Sequence, residues 1–452
     1  MSERSMTPIA VNPAEAGANG HRFVAEFERL TSQSGAQPSW VRELRGRALA
    51  RFGELGIPTT REEEWRFTTV APIGDVTFRL GAPADAAARA LVDSVAIPDA
   101  QRLVVVNGRF SPALSSDDRQ DGVETSSLAD ALARSGDGRA LQGALGRAVP
   151  FDTRAFVALN TAFLHDGVFI HVAKGAIVER PVQLVFVSVP GAEATMSHPR
   201  IFAMVGDGAQ VRLVETYVGM AGAPYLTNTV AEFEIGENAV VDHYRDQREA
   251  ANGFHIGLQA AHCARSSTFL SHAFTLGGQI VRNDTIAVLD GEGIDCTLNG
   301  LYLADRQRLV DNHTLIDHAQ PHCGSHELYK GILAGRAKAV FNGKIIVRPD
   351  AQKTDAKQTN RALLLSDEAQ INTKPQLEIF ADDVKCTHGA AIGQLDEEAL
   401  FYLRARGLTA RQARDMMIHA FAGDILGRVK IDALRDQLEG ELFLQLQADG
   451  VM

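Results

Sequence analysis

The sequence has little cysteine: 452 residues contain only four, at Cys263, Cys296, Cys323 and Cys386. So few thiols in so long a chain do not make a disulfide framework, and the first residues show no export signal. Both observations predict a reducing, cytoplasmic environment. No CxxC pair occurs, so neither a zinc ribbon nor a thioredoxin-type redox motif is indicated. The cysteines are also too dispersed for a ferredoxin-type run of cluster ligands.

The sequence also lacks an excess of positive charge and long apolar runs. Lys and Arg number 45 against 56 Asp and Glu, a net charge of −11, which argues against a general nucleic-acid-binding role. The strongest apolar stretch, Val182 to Val189, alternates with polar residues and is far shorter than the roughly 20 residues of a membrane span. No GxxxxGK[ST] motif occurs, so any ATP that matters here is bound by another protein.

The first third of the chain has mixed patterns. Residues 1–20 lack apolar periodicity and are interpreted as a flexible N-terminus. Residues 21–150 are predicted to be a helical and mixed α/β region, with a helix near Leu128 to Leu145. Within it, Leu103 to Val106 is a short apolar strand that ends in the turn dipeptide Asn107-Gly108.

From residue 151 to 395 the chain becomes a series of short segments rich in Val, Ile and Thr, separated by Gly, Asn and Asp. Alternation inside each segment predicts strands, and no helix-length pattern interrupts them, which disfavours a βαβ sheet. A weak internal sequence similarity relates the turn at Gly206 to the turn at Gly236. We therefore expect a mainly β fold with a parallel β-helix core, and a large β-sandwich is the alternative.

Residues 396–452 are predicted to form a helical module. Asp396 is a candidate N-cap, Gly407 a candidate helix end, and Thr409 to Gln412 has the form of a capping box. A last amphipathic segment is expected from Ile425 to Leu446.

An apolar stripe of this module has two interpretations. Met416, Met417, Phe421 and Leu426 could form an adaptable binding surface, because methionine side chains fill irregular contacts. They could equally pack on the β core.

Four histidines, His313, His318, His322 and His326, crowd into one stretch. A β-helical metalloenzyme that uses this cluster is the alternative functional hypothesis. Pro321 and Gly324 argue against a helix here, so the residues could also be polar side chains of turns and strands.

Cys386-Thr387-His388 is the sharpest local signal. On a strand, residues i and i+2 point to the same side, so a thiol and an imidazole would stand side by side. Both are ligands for iron and zinc, and two ligands leave positions for another chain to complete the site. Two other interpretations are open. The two residues could be a nucleophile and its base, or a buried cysteine beside a hydrogen-bonded histidine.

Two stretches resemble a known family. Residues 371–408, which contain Lys385-Cys-Thr-His-Gly-Ala-Ala391, are similar to the signature of the D-type proteins of the SufB/SufD family, close to KCSHGAT. The run from Phe341 to Leu365 is similar to the wider family. These proteins act in iron–sulfur cluster assembly.

The resemblance implies a right-handed parallel β-helix with helical regions on both sides, in a non-enzymatic scaffold subunit. It implies a complex with SufB and two copies of the ATPase SufC, in which this chain pairs with SufB through the β-helix ends and contacts SufC through residues 396–452. His388, with Cys386 as its neighbour, is expected at the SufB interface, where both are metal ligands shared with the partner during cluster assembly. Within these helices, the apolar stripe of Met416, Met417, Phe421 and Leu426 is the predicted SufC contact.

The resemblance also bears on cofactors and other partners. A transient iron–sulfur cluster would be held between subunits, and this chain would bind no cofactor stably by itself. Complexes of the family are linked to a reduced flavin, although nothing in the sequence marks a flavin site. The isolated chain is a candidate homodimer, because exposed strand edges seek partners. Neither a nucleic acid nor a membrane is expected as a partner.

Overall fold

The computed structural model describes residues 20–33, 37–134 and 137–448. The predicted flexible N-terminus lies outside these residues, apart from Gly20, where the first helix begins. The helices fall in two groups, one before and one after the strand-rich region. They are α1 Gly20–Gln33, α2 Ser39–Leu55, α3 Ala71–Asp75, α4 Asp85–Ser94, α5 Leu128–Ala133, α6 Asp137–Ala144, α7 Ala155–Ala162, α8 Glu397–Ala405, α9 Ala410–Leu426 and α10 Asp432–Ala448.

Between and among the helices run strands of up to 11 residues. They are β1 Arg79–Leu80, β2 Gln101–Val106, β3 Arg109–Phe110, β4 Val123–Ser127, β5 Gly167–Val172, β6 Val182–Ser188, β7 Thr195–Ser197, β8 Arg200–Val205, β9 Gln210–Gly219, β10 Tyr225–Ile235, β11 Val240–Arg248, β12 Gly253–Cys263, β13 Thr268–Thr275, β14 Ile280–Leu289, β15 Asp295–Ala304, β16 Leu309–His318, β17 Gly324–Leu333, β18 Lys338–Val347, β19 Asp355–Leu364, β20 Gln370–Ile379 and β21 Lys385–Gly393.

The strands form two sheets that the chain enters in turn. Sheet A has the order β20-β18-β16-β14-β12-β10-β8-β5-β4, and sheet B the order β21-β19-β17-β15-β13-β11-β9-β6-β2-β3. Strands from β8 onward pair in parallel with the strand two places on, so each coil adds one strand to each sheet. The result is a parallel β-helix of about eight turns. This confirms the predicted fold class and rules out the β-sandwich, whose strands are antiparallel.

The similar sequences at Gly206 and Gly236 form equivalent turns on neighbouring coils. The Gly206 N–H donates to the Val172 carbonyl over 2.9 Å, and the Gly236 N–H donates to the Val205 carbonyl over 2.8 Å. Val205 and Ile235, one residue before each glycine, are paired in register. The repeated turn therefore keeps successive coils aligned.

Side chains alternate between the interior of the β-helix and its outer faces. The interior contains stacked apolar residues such as Phe233, Phe269 and Phe341, all buried. It also contains polar groups: the buried Glu215 carboxylate contacts His243 over 3.1 Å and Arg245 over 3.3 Å. These partners outweigh burial and lower the pKa of Glu215 to about 2. The interior is thus a core with buried charges that are paired.

The N-terminal region covers sheet A and closes the first coils. The strand β2 ends at the predicted turn, where Asn107 and Gly108 both have positive φ, +51° and +79°, and the chain reverses into β3. The single helix predicted from Leu128 to Leu145 is instead two short helices, α5 and α6. Ser127 caps the first of them by accepting the Asp130 N–H.

The C-terminal helices begin as the sequence predicts. The Asp396 side chain accepts the N–H groups of Glu398 and Ala399, and Thr409 and Gln412 form a reciprocal capping box. Gly407 has φ +98° just after α8. The last segment, expected from Ile425 to Leu446, is the helix α10, but its predicted start is wrong, because α9 continues to Leu426 and α10 begins only at Asp432.

The second and third of these helices pack on the outer face of sheet B. Ile418, Ala422 and Ile425 of α9 lie against buried residues of that sheet, Leu301 and Ile332 among them. Within the described residues, no helix combines the length and apolar character needed to cross a membrane.

Candidate functional site

The C-terminal end of the β-helix is open. The strands β20 and β21 are the last of their sheets, and in the described part of the chain no strand pairs with their outer edges. Most of β21 is exposed, and large apolar side chains stand at this end, with Phe380 63% and Ile392 48% exposed. An unpaired edge with exposed apolar side chains is a surface suited to another chain.

Cys386 and His388 lie on β21, at this open end. Cys386 is in register with Ala356 of β19, and His388 with Gln358. Ala356 and Gln358 are buried positions that face the interior, so both residues of β21 take the inward side, at the mouth of the β-helix. His388 is exposed because nothing in the described residues stacks above it. The structure therefore places the two predicted site residues on one side of one strand.

The Cys386 side chain is half-buried among Val384, Leu377 and Ala356. Burial raises the pKa of this thiol, and a backbone hydrogen bond to Ala356 offsets only part of the effect. The thiol is therefore protonated near neutral pH in the isolated chain. A metal ligand must be the thiolate, so ligation at Cys386 would release a proton.

Beneath His388, the interior contains a polar pair that the sequence analysis did not identify. The Gln358 Nε2 donates to the Glu327 Oε2 over 2.8 Å, and both residues are almost fully buried. Burial raises the pKa of Glu327 to about 7, against the lowering by Thr314 and Gln358. Glu327, Gln358 and His388 occupy equivalent positions on three successive coils. Aligning the segments coil by coil would have revealed them.

The four crowded histidines do not converge. His313 and His318 are on β16 of sheet A, His322 is in a turn at φ +61°, and His326 is on β17 of sheet B. His318 instead contacts the Ser325 hydroxyl over 2.9 Å. Across residues 20–33, 37–134 and 137–448, no group of three or more His, Cys, Asp and Glu side chains could hold a metal ion. The structure gives the metalloenzyme hypothesis no support.

His313 lies in a network of charged side chains between the N-terminal region and sheet A. Its Nε2 lies 3.0 Å from Asp311 and its Nδ1 3.4 Å from Glu64 of the N-terminal region. Arg282 pairs with the same Asp311 over 3.2 Å and stacks on the Trp65 ring at 3.9 Å. Burial lowers the pKa of His313, but Asp311 and Glu64 outweigh it and raise that pKa to about 9. This ion network attaches the N-terminal region to sheet A.

The remaining cysteines are core residues. Cys263, Cys296 and Cys323 are all buried, and burial raises the pKa of each thiol, that of Cys263 to about 12. The Cys323 Sγ lies 3.1 Å from the Gly291 carbonyl oxygen. Thiols in this environment remain protonated and behave as small apolar side chains.

The four residues predicted to contact SufC differ in exposure. Met416 is 51% exposed, and Met417 and Phe421 are half-buried. Leu426 is 1% exposed and packs between α9 and sheet B, so it offers no surface to another chain in this structure. Lys330 stacks on Phe421, with its Nζ 4.9 Å from the ring centre.

The helix before them, α8, adds exposed aromatic side chains that are not among the four predicted contact residues. α8 has no buried residue, and Phe401 is 73% exposed with Tyr402 beside it at 57%. Exposed aromatic side chains on one helix are typical of a protein–protein contact surface.

The fold and this end together define a parallel β-helix protein with an open terminal coil and flanking helices. Its sequence matches the family model described as SUF system FeS cluster assembly, SufBD core domain, over residues 187–421. The model of the SufBD protein N-terminal region matches residues 25–184. The chain belongs to the SufBD family of iron–sulfur cluster assembly proteins.

Relatives over most of the chain agree with the family model. An iron–sulfur cluster assembly SufBD family protein of Synechocystis is 33% identical over 91% of this chain and 93% of its own length. The iron–sulfur cluster assembly protein SufD of Escherichia coli is 32% identical over 86% and 89%. SufD of Bacillus subtilis is 26% identical over 91% and 95%. The resemblance found in the sequence is therefore confirmed.

Proposed function

We propose that this chain is the D-type scaffold subunit of a SufB–SufC–SufD complex, and that it acts in the cytoplasm without catalysing a reaction itself. The observation that carries the proposal is the open end formed by β20 and β21, with His388 at its mouth. SufB, a paralogue expected to have a β-helix of its own, is the partner proposed for this end. Parallel strand edges of two such proteins can continue each other's sheets.

At this interface the nascent iron–sulfur cluster is the cargo. His388 offers an imidazole and Cys386 a thiol from the same side of β21. Two ligands leave iron with open positions that the partner's side chains would fill. Burial of the end by SufB would also exclude water from the site.

SufC is proposed to contact the exposed side of the C-terminal helices. Met416, Met417 and Phe421 of α9 supply a flexible apolar surface, and Phe401 and Tyr402 of α8 extend it. The sequence has no P-loop, so ATP hydrolysis is assigned to SufC. On this proposal the chain has no resident cofactor, and electrons come from elsewhere in the complex, with a reduced flavin as one candidate donor.

The direct test is an affinity purification of the tagged full chain from its own cells, with the co-purifying chains identified and counted. The expected result is one β-helical paralogue and two copies of a P-loop ATPase per tagged chain. Recovery of the chain alone, or only as a homodimer, would contradict the proposal. A variant with Ile392→Asp at the open end serves to show that the paralogue binds there.

A further inference from the structure

Two buried amide oxygens lie just inside the mouth of the β-helix without a partner. Gln358 and Asn360 of β19 are each 2% exposed. Their amide nitrogens are both committed, Gln358 Nε2 to Glu327 over 2.8 Å and Asn360 Nδ2 to Thr373 over 3.1 Å. The Gln358 Oε1 and the Asn360 Oδ1 accept no hydrogen bond from the described residues. A buried acceptor without a donor is costly, so each unpaired oxygen suggests a missing partner.

The first of these oxygens lies directly beneath the proposed interface histidine. Gln358 and His388 are paired in register on adjacent strands, and both take the inward side of sheet B. Neighbouring strands of a sheet are about 4.8 Å apart, a separation that an amide and an imidazole can span. Because the Gln358 Nε2 is turned to Glu327 in the coil below, the Oε1 is the atom left for the coil above.

We propose that Gln358 and Glu327 are positioning residues for His388. The exposed His388 ring does not bond to this oxygen in the structure, so the proposal requires a change of its side-chain rotamer. After that rotation Gln358 Oε1 accepts one imidazole N–H of His388, and Glu327 holds the amide so that an oxygen, not an NH2 group, faces the ring. Histidines that bind metal commonly donate their second ring N–H to such an acceptor, which fixes the tautomer and the ring orientation. The other nitrogen of His388 then points out of the mouth toward the cluster. This inference rests on the proposed function of His388.

On the opposite wall of the β-helix, Gly343 leaves the space that the Gln358 amide occupies. Gly343 of β18 lies against the Gln358 amide so closely that an added Cβ would overlap it. The backbone of Gly343 has no positive φ, so alanine is conformationally allowed there. A Gly343→Ala variant would therefore displace the Gln358 side chain while every polar group of the site remains.

The experiment measures the tautomer of His388 directly. The full chain is labelled with 15N-histidine, long-range 1H–15N correlations are recorded, and the His388 signals are assigned by their loss in His388→Gln. One tautomer is expected to predominate in the wild type. Gln358→Leu and Gly343→Ala are each expected to change the tautomer ratio by about threefold or more, the loss of one modest hydrogen bond. Gln358→Glu keeps an acceptor and should retain the wild-type tautomer.

Lys357→Met is the matched control, since Lys357 is on the same strand but on the exposed outer face. An unchanged ratio in both Gln358→Leu and Gly343→Ala would overturn the proposal; if Gln358→Leu does not fold, Gly343→Ala decides alone. The measurement needs no partner, so it is independent of the proposed function. That function fails separately if His388→Ala leaves cluster assembly in the complex unchanged.

Discussion

The His313 Nε2 lies 3.0 Å from an Asp311 carboxylate oxygen, on an outer face of the β-helix that the N-terminal region covers. Glu64 and Arg282 belong to the same network. Burial and Arg282 lower the pKa of His313, but Asp311 and Glu64 outweigh them and raise it to about 9. The relationship shows that His313, the first of the four crowded histidines, serves to attach the N-terminal region to sheet A.

The first prediction concerns the pH dependence of this attachment. The folded pKa of His313 is raised above its ordinary 6.5, so its stabilising contribution is complete below about pH 6.5 and is lost as the pH rises through about 9. The loss is on the order of 3 kcal/mol. Urea unfolding of the wild type and of His313→Gln between these pH values measures it. The difference in free energy of unfolding should shrink as pH rises; a constant difference would contradict the assignment.

The second prediction concerns cluster assembly. His388→Ala should reduce cluster formation on the complex by at least about tenfold. Mutation of a residue that merely hydrogen-bonds to a metal ligand already lowers metal affinity or activity by about that factor. The subunits should still co-purify, because one exposed side chain contributes little to a large interface. Iron and sulfide content with the visible absorption spectrum is the measurement. Thr387→Val, the exposed neighbour on the opposite side of β21, is the control and should retain assembly.

The third prediction concerns the open end. Phe380→Asp or Ile392→Asp places a charge on an exposed apolar position of this end. Stability of the isolated chain should change by no more than about 0.5 kcal/mol, as for other surface substitutions. Pairing with SufB and any homodimer should both be lost, because the charge would be buried without a partner. Native mass spectrometry counts the subunits, and intact pairing in both variants would place the interface elsewhere.

The fourth prediction concerns SufC. Met416→Asp should lower the recovery of the ATPase with the tagged chain and leave the paralogue bound. Leu444→Asp on α10 is a matched control, since Leu444 is a comparably exposed apolar residue, 64% against 51% for Met416. Equal loss in both variants would indicate a general effect of charge on the helices. If the Met416→Asp variant recovers as much SufC as the wild type, α9 is not part of the proposed contact.

Much of the local structure was predictable from neighbouring residues. The turn at Asn107-Gly108, the Asp396 cap and the Thr409–Gln412 capping box are each made by atoms within about three residues of one another. Their geometry depends on residue type and spacing alone. The strand pattern at Cys386-Thr387-His388 likewise placed the two side chains on one side, because strand periodicity is two.

Helix boundaries with weaker signals were predicted less well. The interval between α5 and α6 contains Gly136, and α9 ends at its C-cap Gly427, so each break carries the glycine signal that is typical of helix ends. Apolar residues recur on both sides of these glycines, which is why each segment was predicted as one helix.

By itself, then, the sequence determined the family, the β-helical class, the terminal caps and the shared side of Cys386 and His388. Only the tertiary structure decided which residues far apart in the chain meet: Gln358 beneath His388, Glu64 beside His313, and Leu426 inside the helix–sheet core. The physical reason is that coil-to-coil contacts join residues about 30 positions apart, as in the 31-residue separation of Gln358 and Glu327. That register depends on the length and turns of every intervening coil, which no local pattern encodes.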